Sequence, residues 1–329
     1  MGRVAGGIER AVEILRNGGL VAFPTETVYG LGADARNPRA VRRIFQVKGR
    51  PPTHPLIVHI AEPEDLYQWA VGIPEVAWRL ADRFWPGPLS LVLRRSSLTP
   101  PEVTGGQETV AVRVPSHPVA RDLLRAFGSG VAAPSANRFQ GVSPTTADHV
   151  RDSLGRDVDI VLDGGPCPVG LESTILDLTG DEPAVLRPGG IPLEDLRGIL
   201  GSLSPTGTER KVRAPGQHPL HYAPRARVTL VEDRALIPTA LRLQGDGHRV
   251  GLLLPHHVPP SPEFSGPVIR LPERADGIAR MLYSALRDLD RAGCGVIVAS
   301  LPPAHGLGLA IADRLHRAAG PREGPGAID

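Results

Sequence analysis

From residue 201 to 227 the chain loses apolar periodicity and fills with Ser, Pro, Gly, Thr and charge. Such a stretch buries too little apolar surface to hold a fold of its own, so it reads as a linker between halves that must each build a core. Length agrees, because 329 residues exceed the roughly 100–200 of one domain. The expected organisation is a domain over 1–200, a linker over 201–226 that can close over a site, and a smaller domain over 227–329. The tail 321–329 is expected to be mobile.

The halves differ in pattern. In the first, strand-length apolar runs at 20–23, 56–60, 89–93, 109–114, 131–133, 159–162, 172–178 and 184–186 are interleaved with helices near 75–84, 118–127, 145–154 and 193–200. An opening helix places Ile8, Ala11, Val12 and Leu15 on one face and stops at Asn17-Gly18-Gly19. Asn37-Pro38 supplies a cap and first-turn proline to another helix, which Gly49 and Pro51 end. This irregular alternation predicts an α/β domain with a mixed sheet. The second half runs strand 228–231, helix 235–243, strands 250–254 and 268–271, helix 275–292, strand 296–300, helix 309–318, the pattern of a small parallel α/β domain.

Composition narrows the class. Apolar residues are 41% and charged residues 22%, ordinary for a globular protein. No apolar run approaches the roughly 18 residues of a membrane span, so no membrane role is expected. The N-terminus carries Glu9 and Glu13 where a leader would be cationic then apolar, which predicts a cytoplasmic chain. Cys167 and Cys294 stand far apart and predict neither a disulfide framework nor a cysteine-rich metal site. A net charge of +2 does not by itself call for nucleic acid. Lysine occurs only at Lys48 and Lys211. In so arginine-biased a chain, Lys48 inside a polar motif points to a need for a compact ammonium.

The usual nucleotide motifs are missing: no GxxxxGK[ST] loop, no strand-placed GxGxxG, no HExxH and no GxSxG. Polar residues instead gather where strands end. Thr25, Glu26, Thr27 and Tyr29 follow the strand at 20–23; they suit either a ligand rim or a proline-broken turn. Lys48 and Arg50 sit at a helix end facing either a polyphosphate or the helix dipole, and His59 alternates with Val58 and Ile60. On the strand 109–114, period two puts Val110, Val112 and Val114 on one face and Thr109, Ala111 and Arg113 on the other. A mid-strand arginine there needs an anionic partner, an internal carboxylate or a ligand. Ser143-Pro144 reads as a helix cap and first turn, with or without phosphate, and Ser135 and Asn137 precede it. Arg187 sits at a strand end beside Gly189 and Gly190. His218 and His221 lack the further ligands a metal site needs.

Taken in order, the segments FPTETVYGLG (23–32), KGRPPTHPLIVH (48–59), TVAVRVP (109–115), APSANRFQGVSPT (133–145), LESTILD (171–177), VLRPGG (185–190), APGQHPLHYAP (214–224) and GLGLAIADRLHRAA (306–319) resemble the YrdC/YciO family, in its long two-domain threonylcarbamoyl-AMP synthase form. The resemblance implies a twisted mixed sheet with a basic concave cavity and a small Rossmann-like second domain. It implies synthesis of L-threonylcarbamoyl-AMP from L-threonine, bicarbonate or CO2, and ATP, with Mg2+ accompanying the nucleotide and pyrophosphate leaving. The product would pass to a tRNA threonylcarbamoyl-transferase complex, tRNA itself not being required for the chemistry. By the same resemblance, Thr27, His59, Arg113 and Ser173, with the Ala133 backbone, serve threonine. Lys48, Arg50, His54, Thr109, Ser135, Asn137, Ser143 and Arg187 serve ATP, with Tyr222 covering the nucleotide; Lys48, Arg50, Ser135 and Asn137 are the catalytic expectations. Three positions depart from the family pattern: His54 where Asn is frequent, Ala214 where Ser is, and Gln217 where Met is. The rival readings are a double-stranded RNA or tRNA-binding module of the same fold, and a YciO-like or hydrogenase-maturation carbamoyl-transfer domain.

Overall fold

The structure, a computed structural model, describes residues 2–203, 212–216 and 218–321; Lys211, Gln217 and the tail beyond 321 lie outside them. The described residues fall into two compact units, one drawn from Met1–Phe139 and Ser143–Gln217, the other from Gln140–Val142 and His218–Asp329.

The first unit carries strands β1 (Val21–Phe23), β2 (Gly30–Asp34), β3 (Ile57–His59), β4 (Ala70–Val71), β5 (Leu89–Arg95), β6 (Thr109–Arg113), β7 (Val131–Ala132), β8 (Ile160–Val161), β9 (Thr174–Asp177) and β10 (Ala184–Arg187). Its helices are α1 (Gly2–Arg16), α2 (Pro38–Lys48), α3 (Glu75–Phe84), α4 (Pro101–Thr104), α5 (Pro118–Phe127), α6 (Ala147–Leu154) and α7 (Leu193–Leu200). Among the described residues the strands form one sheet in the order β10-β9-β5-β6-β3-β7-β2-β1-β8, with β4 beside β5. The sheet is mixed, as the irregular alternation predicted: β3 is parallel to β6 but antiparallel to β7, and β5 is parallel to β9 but antiparallel to β6.

The two faces of this sheet have different covers. Val58, Leu91, Leu93, Val110, Val112 and Leu176 point into a large core shared with α2, α3, α4, α6 and α7. On the opposite face α1 and α5 pack over Phe23, Val131 and Ala133. Farther along that face Ile57, Val92, Ala111 and Ile175 meet no helix in their apolar cluster; the segment at Val212 and Ala214 lies on them instead. Removing apolar surface of this kind from water stabilises at about 25 cal/mol per Å2, enough to hold an irregular strand of chain on a sheet.

Local chemistry explains where α2 lies, which matters because it ends at Lys48. Asn37 Oδ1 accepts from the Arg39 and Ala40 N–H groups at 3.0 and 3.2 Å, and Pro38 takes the first turn. Gly49 ends the helix at φ +65°, a left-handed conformation that any side chain would strain. The reading of Ser143-Pro144 as a helix cap is corrected: α6 starts at Ala147, and Thr146 is its cap, accepting from His149 N–H at 3.2 Å.

The second unit alternates β11 (Arg227–Leu230), α8 (Leu236–Gly245), β12 (Val250–Leu254), β13 (Val268–Arg270), α9 (Ala275–Arg291), β14 (Val296–Ala299) and α10 (Leu307–Ala318). Its sheet, ordered β11-β14-β12-β13, is parallel throughout. Leu236 and Ala240 of α8 pack there against Val250, Leu252 and Val298. The short segment Gln140–Val142 belongs to this unit, where Ala223 N–H donates to the Gln140 carbonyl at 2.9 Å. Cys167 and Cys294 are buried free thiols. No helix among the described residues is long and apolar enough to cross a membrane.

Candidate active site

The sheet face that lacks a helical cover carries His59, Thr109, Arg113, Ser173 and Arg187 of the polar residues singled out above. Register fixes which side chains share it. His59 stands opposite Arg113, Ile57 opposite Ala111, Val92 opposite Ala111, and Ser90 and Arg187 both opposite Ile175. Since alternate residues of a strand share a face, Thr109, Arg113, Ser90 and Ser173 join Ile57, Val92, Ala111 and Ile175 on one side. From β3 to β10 is four strand steps, roughly 19 Å at about 4.8 Å each.

Arg113 is 3% exposed and bonded on all three nitrogens. Nε donates to the Gly87 carbonyl at 3.1 Å, Nη1 to Thr27 Oγ1 at 3.0 Å, and Nη2 to Glu26 Oε1 at 2.5 Å. Of the two partners the sequence left open for it, the internal carboxylate is present as Glu26. Thr27 is itself braced by Thr25, hydroxyl to hydroxyl, at 2.8 Å. His59 lies edge-on to Phe23, ring centroids 5.9 Å apart. Burial, and then the Arg113 charge, push its pKa down to about 3, so the imidazole is neutral near pH 7. Ala133 continues β7 and donates its N–H to the Ile57 carbonyl at 3.0 Å.

At the other end, Arg187 donates through Nε and Nη2 to the Ser173 carbonyl at 3.2 and 2.8 Å and through Nη2 to Ser173 Oγ at 3.1 Å. Its Nη1 reaches the Pro215 carbonyl at 3.1 Å, tying the irregular segment to the sheet. Ser173 Oγ shares a hydrogen with Ser90 Oγ at 2.8 Å. A Cβ at Gly189 would meet the Glu172 carbonyl oxygen at 2.4 Å, so glycine is what lets the turn after Arg187 press against Ser173. Ser143, fully buried, donates to Glu172 Oε1 at 2.7 Å.

Lys48 reaches from the end of α2 to the loop after β7. Nζ donates to the Ser135 carbonyl at 2.5 Å and to the Asn137 carbonyl. Burial, with Arg50 and Arg138 behind it, pushes its pKa well below the usual lysine range. Ser135 pairs with Gly30 of β2. Arg50 donates to the Pro55 carbonyl at 2.9 Å, just before β3, and the His54 ring lies 5.6 Å from that of Phe139. Thr109 stands half-buried opposite Arg94. Tyr222 belongs to the second unit, where its buried ring stacks on Tyr283 at 5.7 Å beneath the Arg314 guanidinium at 4.9 Å.

Three participants were given no role of their own by the sequence: Glu26 and Glu172, which lie inside the quoted motifs, and Ser90, which lies outside them. Glu26 had one signal, being the acid nearest a polar strand end in a chain where Arg113 needs a countercharge. Ser90 had none, since a serine within an apolar strand reads as core. The arrangement supplies cations and hydroxyls in excess of carboxylates: Lys48, Arg50, Arg113 and Arg187 are 3, 7, 3 and 3% exposed, against Glu26, Glu172 and Asp177 at 4, 6 and 0%, Asp177 standing opposite Val92 on β5. Four formal positive charges less three negative leave an excess of one. Buried charge of one sign calls for an anionic ligand.

Comparison with known proteins follows the same lines. Residues 13–189 match the family model of Sua5, YciO and YrdC, described as "Telomere recombination", and 191–320 match "Threonylcarbamoyl-AMP synthase, C-terminal domain". The threonylcarbamoyl-AMP synthase of Pyrococcus abyssi is 43% identical over 326 residues, which are 96% of this chain and 94% of that one. The Bacillus subtilis protein of the same name is 41% identical over 325 residues, 96% and 93% of the two chains. The crystal structure of P. abyssi Sua5 complexed with L-threonine aligns with a TM-score of 0.90, covering 95% of this chain and 94% of that one. The chain therefore belongs to the Sua5, YciO and YrdC family, in the two-domain form of these threonylcarbamoyl-AMP synthases.

Proposed function

We propose that this protein is a nucleotidyltransferase that makes L-threonylcarbamoyl-AMP from L-threonine, CO2 or bicarbonate, and ATP. The observation that carries the reading is a set of buried cations, Arg113 and Arg187 on one sheet face and Lys48 and Arg50 at the end of α2, with Arg113 held in a fixed plane. Arg113 takes the threonine carboxylate, with Thr27, neutral His59, Ser173 and the Ala133 backbone around the rest of the amino acid. Lys48, Arg50 and Arg187 take the triphosphate, with His54, Thr109, Ser135, Asn137 and Ser143 completing the nucleotide end. Mg2+ enters as the nucleotide's counterion. The residues of this face, cationic and hydroxylic, suit phosphate oxygens better than a metal ion.

No protein nucleophile is required. The threonine amine adds to CO2 and loses a proton, giving a carbamate; a carbamate oxygen then attacks the α-phosphorus in line, and pyrophosphate leaves. Catalysis is then positioning of three reactants and stabilisation of charge that moves onto the leaving oxygens. An approaching phosphate raises the Lys48 pKa, because an anion offsets the burial that lowers it. The product is a mixed anhydride that water destroys, so it calls for prompt transfer to a nucleophile. We assign that acceptor to the adenosine beside the tRNA anticodon, reached through a transferase complex in the cytoplasm.

The test is mass spectrometry of nucleotide products after incubation with ATP, carbon-13 bicarbonate and L-threonine, without RNA. A single AMP adduct carrying both threonine and the labelled carbon is expected. ATP consumed without such an adduct, or only when RNA is added, refutes the reading.

A further inference from the structure

Glu26 sits between Thr25 and Thr27 beyond β1 and is 4% exposed. A carboxylate so buried persists only if its oxygens are bonded. Oε1 accepts from Arg113 Nη2 at 2.5 Å and Oε2 from the Ser116 N–H at 3.0 Å. The Glu26 carbonyl is held in turn by the Val169 N–H at 2.8 Å. The residue is pinned from three directions, and one of its contacts is the arginine assigned above to the amino-acid carboxylate.

The geometry of Arg113 shows what this does. A guanidinium has five N–H donors in one rigid plane. Gly87, Thr27 and Glu26, on separate segments, accept one each from Nε, Nη1 and Nη2. Three fixed contacts set the plane. One N–H remains on each terminal nitrogen for a carboxylate oxygen. Charge matters as much as direction. With Glu26, the Arg113 end is a pair of zero net charge beside a neutral imidazole, whereas Lys48, Arg50 and Arg187 keep the nucleotide end cationic.

We infer that Glu26 is a positioning and specificity residue: it orients Arg113 and cancels its net charge, so that this end of the sheet face accepts a zwitterionic amino acid and refuses phosphate. The inference rests on the reading of threonine as substrate. One cavity must hold an amino acid and a triphosphate in a single orientation, and an uncompensated Arg113 would be a further phosphate site. Refusal of the wrong ligand through an arranged like charge is a general route to specificity.

The experiment compares wild type with Glu26→Gln, which keeps volume and an acceptor oxygen but loses the charge. Pyrophosphate release is measured while L-threonine and ATP are varied separately, and formation of the labelled AMP adduct is measured with added pyrophosphate as inhibitor. The expected KM for L-threonine rises about tenfold or more while that for ATP stays within about threefold. Pyrophosphate is expected to become a tighter inhibitor, competitive with L-threonine. Both KM values moving together, or an unchanged inhibition, overturns the inference and leaves Glu26 a structural ion pair. Glu26→Asp keeps the charge and serves if the glutamine variant does not fold. It should raise KM for L-threonine without tightening pyrophosphate, and tightening in that variant contradicts the charge argument. Wild-type release that ignores L-threonine would instead refute the proposed function itself.

Discussion

At Arg50 a guanidinium 7% exposed donates to the Pro55 carbonyl at 2.9 Å, and so is fixed at the start of β3. A preorganised donor of this kind stabilises developing phosphate charge without reorganising, and its loss typically lowers turnover by about 10²–10³. Arg50→Ala should show that loss in pyrophosphate release at saturating ATP; a near-normal rate contradicts its role. His59 makes a prediction about pH. Its folded pKa of about 3 lies below the ordinary 6.5, so between those values the unfolded chain binds more protons than the folded one. Stability therefore falls as pH drops from about 6.5 towards 3, by at most about 1.4 kcal/mol per pH unit from this group. Urea titrations at pH 7, 5.5 and 4.5 should show a shallower decline for His59→Gln than for wild type. Equal slopes would mean that His59 is not held neutral.

Among elements, β6 and α6 show what a sequence discloses. Period-two alternation placed Thr109 and Arg113 on one face of β6 and the valines on the other, and the clusters divide in that way. The caps of α2 were legible for the same reason: Asn37, Pro38 and Gly49 act on neighbours two to four residues away. For α6 the sequence-based expectation names only Ser143-Pro144 as cap chemistry, whereas Thr146 is the cap. A contact with Glu172, 29 residues distant, takes the Ser143 hydroxyl. The partners of Arg113 and Ser173 were illegible because Glu26 and Ser90 lie 87 and 83 residues away. Thr146→Ala should cost about 1 kcal/mol by loss of a cap. Ser143→Ala leaves a buried carboxylate short of a donor and should cost more, about 1–3 kcal/mol. Chemical denaturation checks the order, and a larger loss at Thr146 would restore Ser143 to an ordinary turn.

For the whole molecule the governing quantity is charge. The protein carries a net +2, yet four of its cations are within 7% of complete burial, Arg113 and Arg187 on one sheet face and Lys48 and Arg50 at the end of α2, with Glu26, Glu172 and Asp177 buried as well. An exposed surface would screen them; a buried one makes them dependent on an anionic substrate. The fold class followed from patterning, whereas this concentration of charge arises from pairing between strands far apart in sequence. The most direct measurement is RNA-free pyrophosphate release from ATP and bicarbonate in the presence of L-threonine, D-threonine, glycine or no amino acid. Release that depends on L-threonine, and is slow with the other three, is the predicted result. Equal release whichever amino acid is present would contradict an account in which the hollow aligns a triphosphate with one.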